Sequence, residues 1–241
     1  IGAILDYAAE ADIDDSGEVG GDVTPCFTGA VGREYSYESE EKCDRNFRIF
    51  QTAIRSVHNV SPEGFAAIKV TALGNPLLLE RLATALVEIR NLFEKMDVDA
   101  DGKLTYEAFE AGLRKVLNVT DEQMTSFRAT FDRFDLQGDG RIDAIEWTTS
   151  LVPEDMYRIA SQCKETGPFA TAALTLEESQ LVRKTYQRIR SLVELAEELD
   201  VRLMIDAEHS YFQPAIDNIV LDLQREFNSG PGRVRVFNTF Q

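Results

Sequence analysis

The sequence predicts an α/β fold in which part of a (β/α)8 barrel, with about four strands, carries an inserted all-α pair of EF-hands. Two observations lead to this prediction. Short apolar segments alternate with segments of helical hydrophobic period, an order that is typical of parallel βαβ units. In the middle of the chain, two stretches place oxygen-bearing side chains at the spacing of EF-hand calcium loops.

The length of the chain limits how much of a barrel it can form. A complete (β/α)8 barrel takes about 250 residues, and this chain has 241 residues including the insertion. We therefore expect about half of the barrel wall, truncated before its C-terminal half. Residues 1–85 are predicted to form the first part of the barrel, residues 86–155 the EF-hand pair, and residues 156–241 the continuation of the barrel.

The first part of the barrel is predicted to contain two strands and two helices. The strands are the apolar segments within residues 2–9 and over 65–71, and turn residues bound the second of them. Helical periodicity over 43–59 and 77–96 predicts the helices. Residues 10–42 are acidic and glycine-rich without any period, which predicts a disordered loop.

The continuation repeats this alternation. It is predicted to begin with a loop that contains Gly167 and Pro168, and Thr175 then provides an N-cap for a long helix. The predicted elements that follow are helices over 176–199 and 214–228 and strands over 201–207 and 233–239.

The composition restricts the partners of the protein. The sequence has 42 acidic and 25 basic residues, a formal net charge of −17, so its surface repels phosphate backbones and no nucleic-acid partner is expected. No run of 18 apolar residues occurs, so no transmembrane segment is expected. The three cysteines form no CxxC pair, which fits a reducing compartment.

The loop over 135–146 matches the EF-hand pattern most completely. Gly140 at the sixth position permits a sharp turn, and Glu146 at the twelfth can supply a bidentate carboxylate. Gln137 is unusual, because it is neutral where an aspartate or asparagine is common. The expected calcium ligands of this loop are Asp135, Gln137, Asp139, the backbone carbonyl of Arg141, and Glu146.

The loop over 97–108 starts with good ligands and lacks the last one. Ala108 stands at the twelfth position and Glu107 lies one place too early, so the bidentate carboxylate is missing. We predict a competent second loop and a weakened first loop. The alternative is that both loops are relics that hold the insertion together. The expected ligands of the first loop are Asp97, Asp99 and Asp101.

Segments of the barrel part resemble one enzyme family. They are GAILDYAAEAD at the start, GFAAIKVTALGNP over 64–76, VRLMIDAEHSYFQPAI over 201–216, and RVFNTFQ at the end. Together they resemble the N-terminal part of the mitochondrial proline dehydrogenase family, eukaryotic members of which carry a helical insertion at this place.

The resemblance implies a flavoenzyme that holds FAD on a (β/α)8 barrel and oxidises L-proline to 1-pyrroline-5-carboxylate. It implies that Lys69 and Asp206 are active-site residues beside the substrate and that Asn238 lies near the flavin ring, while Ala72 and Glu208 flank these positions. It also implies a mitochondrial location on the matrix side of the inner membrane, peripheral membrane association and a quinone as electron acceptor. The chain itself contains no recognisable targeting segment.

Two other functions stay open. Hydroxyproline dehydrogenase shares these motifs, and a calcium sensor or buffer without catalysis would need only the loops, although the IKVTAL and IDAE segments count against it. Because the insertion follows the helix after the strand of Lys69, we also hypothesise that calcium biases activity. The family's substrate-binding arginine pair and most of its flavin contacts lie beyond Gln241, so we expect this fragment alone neither to bind flavin tightly nor to oxidise proline.

Overall fold

The computed structural model describes residues 4–6, 38–61, 63–230 and 232–240. Most of the segment predicted as a disordered loop, over 10–42, lies outside the described residues. The elements follow the chain in the order β1 (Ile4–Asp6), α1 (Glu40–Val60), β2 (Phe65–Ile68), α2 (Pro76–Met96), β3 (Lys103–Thr105), α3 (Tyr106–Val116), α4 (Asp121–Phe134), β4 (Arg141–Asp143), α5 (Ala144–Ser150), α6 (Pro153–Ala160), α7 (Pro168–Ala172), α8 (Leu176–Glu198), β5 (Arg202–Ile205), α9 (Gln213–Phe227) and β6 (Val236–Asn238).

Four of the strands form a parallel sheet in the order β1-β2-β5-β6. Each connection between neighbouring strands contains at least one helix, as parallel pairing requires. The register sets Phe65 opposite Arg202 and Ile68 opposite Ile205. The predicted alternation of strands and helices in a mixed α/β fold is therefore confirmed.

The two faces of this sheet differ in how they are covered. Ile68, Leu203 and Ile205 point toward α1, α8 and α9 and are fully buried. On the other face, Phe65 and Phe237 are only partly buried, and their rings meet edge to face with centroids 5.1 Å apart. The described helices thus cover one face of the sheet and leave the other partly open.

Several element boundaries differ from the predicted ones, and local backbone structure explains those of α1 and β2. The strands β5 and β6 are also shorter at both ends than predicted. Helix α1 begins three residues before the predicted start, because the Ser39 side chain accepts a hydrogen bond from the backbone N–H of Lys42 and caps the helix there. Strand β2 ends before residue 71, because Val70–Ala72 form one turn of 3₁₀ helix. Asn75 then caps α2 by accepting from the N–H of Leu77.

A buried arginine ties this turn to two helices. Arg188 on α8 donates from Nη1 to the carbonyl of Leu73 at 2.9 Å, and from Nε and Nη2 to the carboxylates of Asp44 and Glu40 at 2.9 and 2.8 Å. Its side chain is only 10% exposed. A buried guanidinium with charged and carbonyl partners stabilises a fold chiefly because removing it leaves those partners unsatisfied.

The EF-hand pair is built directly onto α2. This helix runs from the sheet into the first calcium loop, and β3 pairs with β4 in antiparallel register, with Leu104 opposite Ile142. Trp147 of α5 is fully buried, and its indole N–H donates to the carbonyl of Ile89 at 2.8 Å. The EF-hand pair and the part of the chain that forms the parallel sheet therefore share one helix and one continuous core.

The helices α6 and α7 were not predicted from the sequence. They have eight and five residues, too short to establish a hydrophobic period. The prediction of a loop at Gly167 and Pro168 is wrong for Pro168, because Pro168 is the first residue of α7. Among the described helices, none combines the length and the apolar character that crossing a membrane requires.

Replacing Arg188 with glutamine is expected to lower the free energy of unfolding by about 2 kcal/mol or more, because buried acceptors lose their donor. Arg190→Gln on the same helix is the matched control: its side chain is 36% exposed and pairs with Glu226, and such solvent-exposed pairs contribute little to stability. Urea unfolding of both variants measures the difference. Equal losses would contradict the role assigned to Arg188.

Candidate functional site

A lysine and an aspartate meet where β2 and β5 end. Nζ of Lys69 lies 3.0 Å from Oδ2 of Asp206, and the two side chains are 26% and 21% exposed. The ladder continues past the strands, since the N–H of Asp206 donates to the carbonyl of Ile68 at 3.0 Å. Parallel strands align at their carboxyl ends, so this register brings together two residues that are 137 positions apart.

A second cross-strand contact lies two residues further along each strand end. The backbone N–H of Thr71 donates to Oε1 of Glu208 at 3.1 Å, and the Thr71 hydroxyl donates to Oε2. Burial raises the pKa of Glu208, although the hydrogen bonds from Thr71 and the charge of Lys69 act in the opposite direction. From the sequence, Glu208 was expected only to flank the active-site residues. No local pattern in the sequence signals this pairing, because it depends on the register between two segments that are 137 residues apart.

The turn that carries Lys69 and Thr71 is also hydrogen-bonded to helix α1. The side-chain amide of Asn46 on α1 donates to the carbonyl of Ala72 at 2.9 Å, and Ala72 itself is buried. The flanking residue Ala72 thus contributes a backbone contact, while its small side chain fits a closely packed position.

The structure does not bring Asn238 to the same place. Asn238 pairs with Ile205, so it shares the helix-covered face with that residue, whereas Asp206 lies on the alternate face. Its amide nitrogen donates to Oδ1 of Asp217 on α9 at 2.8 Å, and its amide oxygen accepts from the N–H of Thr239 at 3.1 Å. Of the residues expected at the active site, Lys69 and Asp206 are in contact and Asn238 is engaged elsewhere.

A groove lies between the carboxyl ends of these strands and the EF-hand pair. It has a volume of about 560 Å³ and is lined by Glu208, Gln213 and Asp217 on one side and by Ile145 and Thr148 of α5 on the other. The helix that leaves the second calcium loop therefore flanks the same groove as Glu208.

The first calcium loop gathers its three aspartates closely. One carboxylate oxygen each from Asp97, Asp99 and Asp101 lies within 4.8 Å of the other two. Oδ1 of Asp97 is buried and accepts no hydrogen bond, while Oδ2 accepts from the N–H of Gly102 at 2.9 Å. Gly102 has φ +80°, a conformation that favours glycine. A buried carboxylate oxygen without a donor, next to two further carboxylates, suits a hard divalent cation.

The same loop lacks a carboxylate at its end, as the sequence indicated. The N–H of Ala108 donates to the hydroxyl of Thr105, which caps α3, and Glu107 is exposed. The first loop therefore offers ligands from its beginning only, and water would have to complete the coordination of an ion.

The second calcium loop is arranged differently. Oδ1 and Oδ2 of Asp135 accept from the N–H groups of Asp139 and Gly140 at 3.0 and 2.8 Å. Glu146 is 5% exposed, and its two oxygens accept from the N–H groups of Gln137 and Asp143 at 3.0 Å each. The carboxylate at the twelfth position thus points into the loop, where it is already hydrogen-bonded. With a neutral Gln137, this loop collects fewer free carboxylates at its start than the first loop does.

Comparisons with known proteins bear on both parts. The model of the EF-hand domain pair matches residues 86–146. Over 219 residues the chain is 35% identical to the protein named proline dehydrogenase 1, mitochondrial, of Caenorhabditis elegans, covering 87% of this chain and 35% of that protein. Over 222 residues it is 31% identical to the Homo sapiens protein of the same name, covering 87% and 36% respectively.

The chain is a homologue of the proline dehydrogenases. Proline dehydrogenase 2 of Arabidopsis thaliana is also similar, with 40% identity over 68 residues, which is 28% of this chain and 14% of that protein. The resemblance expected from the sequence motifs is confirmed. The chain spans about a third of the length of the animal proline dehydrogenases that it matches. No solved structure matches it.

The raised pKa of Glu208 predicts a pH dependence of stability. The folded chain holds the proton more tightly than the unfolded chain, so the free energy of unfolding should fall as pH rises from the ordinary value of 4.5 through the folded pKa. Glu208→Gln has no proton to lose and should lack this fall. Urea unfolding across that pH range measures it, with the exposed substitution Glu107→Gln as the control. Parallel profiles for wild type and Glu208→Gln would contradict the assignment.

Proposed function

We propose that this chain is part of an FAD-dependent proline dehydrogenase that oxidises L-proline to 1-pyrroline-5-carboxylate, and that its four-stranded sheet is a segment of a (β/α)8 barrel. The observation that carries the proposal is the Lys69–Asp206 pair at the carboxyl ends of adjacent parallel strands, in a chain homologous to proline dehydrogenases. In barrels of this kind, catalytic residues lie at that end of the strands.

Lys69 supplies a cation to the carboxylate of the amino-acid substrate. A charge-assisted contact between an ammonium and a carboxylate orients the substrate as well as binding it. Asp206, at 3.0 Å, holds the ammonium group of Lys69 at the carboxyl ends of the strands. The Thr71–Glu208 contact beside it holds the two strand ends in register, so that Lys69 and Asp206 stay within reach of each other.

The open face of the sheet suits a flat aromatic cofactor. By alternation Lys69 and Asp206 share this face with Phe65 and Phe237, whose rings are only partly covered by the described residues. Bound FAD would accept a hydride from the proline ring at its N5 atom. We propose that Lys69 and Phe237 face its ring system, and that Asn238, engaged with Asp217, acts indirectly through the position of β6.

The names of its relatives support a proposed location for the protein. The animal proteins that it matches are named as mitochondrial. We place the protein in the mitochondrion, at the matrix side of the inner membrane, with a quinone as electron acceptor and a peripheral rather than spanning attachment.

The EF-hand pair supplies a second function, calcium binding. Support comes from the match to the EF-hand domain pair, from the unpartnered buried oxygen of Asp97, and from the inward-pointing carboxylate of Glu146. We propose that each loop binds one calcium ion. The ligand side chains are Asp97, Asp99 and Asp101 in the first loop and Asp135, Asp139 and Glu146 in the second.

The enzymatic proposal is tested on the complete protein that contains this chain. Anaerobic L-proline should bleach its flavin absorbance, and Lys69→Met should lower kcat/KM by about 100-fold or more, the loss typical of removing one polar stabilising group. Lys115→Gln, which removes an exposed cation from α3, is the control. Faster bleaching by hydroxyproline would favour hydroxyproline dehydrogenase, and unchanged kinetics in Lys69→Met would contradict the role of Lys69.

The calcium proposal is tested by titration calorimetry. Asp97→Asn should weaken binding at the first loop and Glu146→Gln at the second, each by about tenfold or more, since even indirect changes to metal sites cost this much. Glu107→Gln removes a neighbouring carboxylate that is exposed and should leave both affinities unchanged. Unaltered binding in Glu146→Gln would mean that the second loop is a structural relic.

A further inference from the structure

The two calcium loops exchange a pair of ionic contacts. Nζ of Lys103, at the seventh position of the first loop, lies 2.7 Å from Oδ2 of Asp139, at the fifth position of the second loop. Nη1 of Arg141, at the seventh position of the second loop, lies 2.8 Å from Oδ2 of Asp101, at the fifth position of the first. The two contacts are equivalent under exchange of the loops.

The backbone produces this exchange. Strands β3 and β4 are antiparallel with Leu104 opposite Ile142, so the seventh residue of each loop stands opposite the ninth residue of the other loop, and its long side chain reaches the fifth-position carboxylate there. Both fifth-position aspartates also accept a backbone N–H from the seventh residue of their own loop, Asp139 from Arg141 at 3.0 Å and Asp101 from Lys103 at 2.9 Å. Each of these carboxylates therefore has one oxygen engaged within its own loop and the other engaged by the opposite loop.

We propose that Lys103 and Arg141 are built-in competitors of calcium, each lowering the affinity of the opposite loop by occupying its fifth-position carboxylate. This inference rests on the proposed calcium binding. A cation held at a ligand carboxylate must lose that ion pair when a divalent ion binds, and it also repels the bound ion. Affinity at each loop is thus set by a residue that lies in the other loop.

The effect is larger for the second loop. Its third position is the neutral Gln137, whose amide donates to Asp143 at 3.2 Å, so Asp139 is a greater share of the negative charge available there. The first loop has carboxylates at all three of its early positions. Lys103 is therefore the residue whose removal should be most visible in calcium binding.

The test uses the whole chain with the first loop disabled by Asp97→Asn, so that calcium titration reports on the second loop. In this background Lys103→Gln should raise the calcium affinity about threefold or more at low ionic strength, while Lys103→Arg should keep it near the starting value. Arg141→Gln is the matched control. It removes a cation that belongs to the second loop, but this cation pairs with Asp101 of the first loop rather than with Asp139. Lys115→Gln controls for net charge.

The outcomes separate the inference from the proposal beneath it. A gain in Lys103→Gln that exceeds the gain in Arg141→Gln supports crossed control. Equal calcium affinity in Lys103→Gln and in both controls would overturn the inference, while the proposal that the chain binds calcium would stand. Absence of calcium binding in the wild type and in every variant would overturn both the inference and the proposed calcium binding. Calcium binding that is absent in the wild type and appears in Lys103→Gln would support the inference most strongly.

Discussion

Helix α2 is the constraint on which the arrangement of this molecule depends. It begins one turn after Lys69, with Asn75 as its cap, and it ends at Met96, next to the first ligand of the first calcium loop. It packs against α9 and α7 beside the parallel sheet and against α3 and α5 of the EF-hand pair. Because one rigid helix serves both parts, the insertion is not connected by a flexible linker, and its position relative to the sheet is determined by packing.

The strand edge and the calcium loops are coupled by contact as well as by this helix. The indole N–H of Trp147 on α5 donates a hydrogen bond to the backbone of α2, and α5 lines the same groove as Glu208. The hypothesis that calcium biases activity therefore has a physical route, which runs from the second loop through α5 to the strand end of Asp206. A change in the angle of α5 on calcium binding would alter the width of that groove.

Negative charge shapes the calcium loops in two opposing ways. The net charge of −17 favours cations near the surface in general. Inside the loops, however, the nearest cations are the protein's own, since Lys103 and Arg141 sit on ligand carboxylates. Under the proposal above, calcium affinity would be set by local competition between a tethered ammonium or guanidinium and a free divalent ion.

The sequence predicted the four parallel strands and their helices correctly, because hydrophobic periodicity and capping are local properties that a single chain segment displays. It also predicted the EF-hand pair and, through the IKVTAL and IDAE segments, the homology to proline dehydrogenases. The short helices α6 and α7 escaped it, because five to eight residues carry too little periodicity. Helix α1 started early because a single serine, Ser39, caps it.

What the sequence could not determine are the relations between residues far apart in the chain. The pairing of Thr71 with Glu208 and the exchange between Lys103 and Asp139 depend on strand register, which no local pattern encodes. The same register turns Asn238 toward Asp217, away from the face of Asp206, since a side chain's face is decided by its position in the ladder. The sequence by itself thus determined most of the elements, the EF-hand pair and the homology to proline dehydrogenases. Only the tertiary structure decided which charged groups meet, because such contacts require register and packing between distant segments.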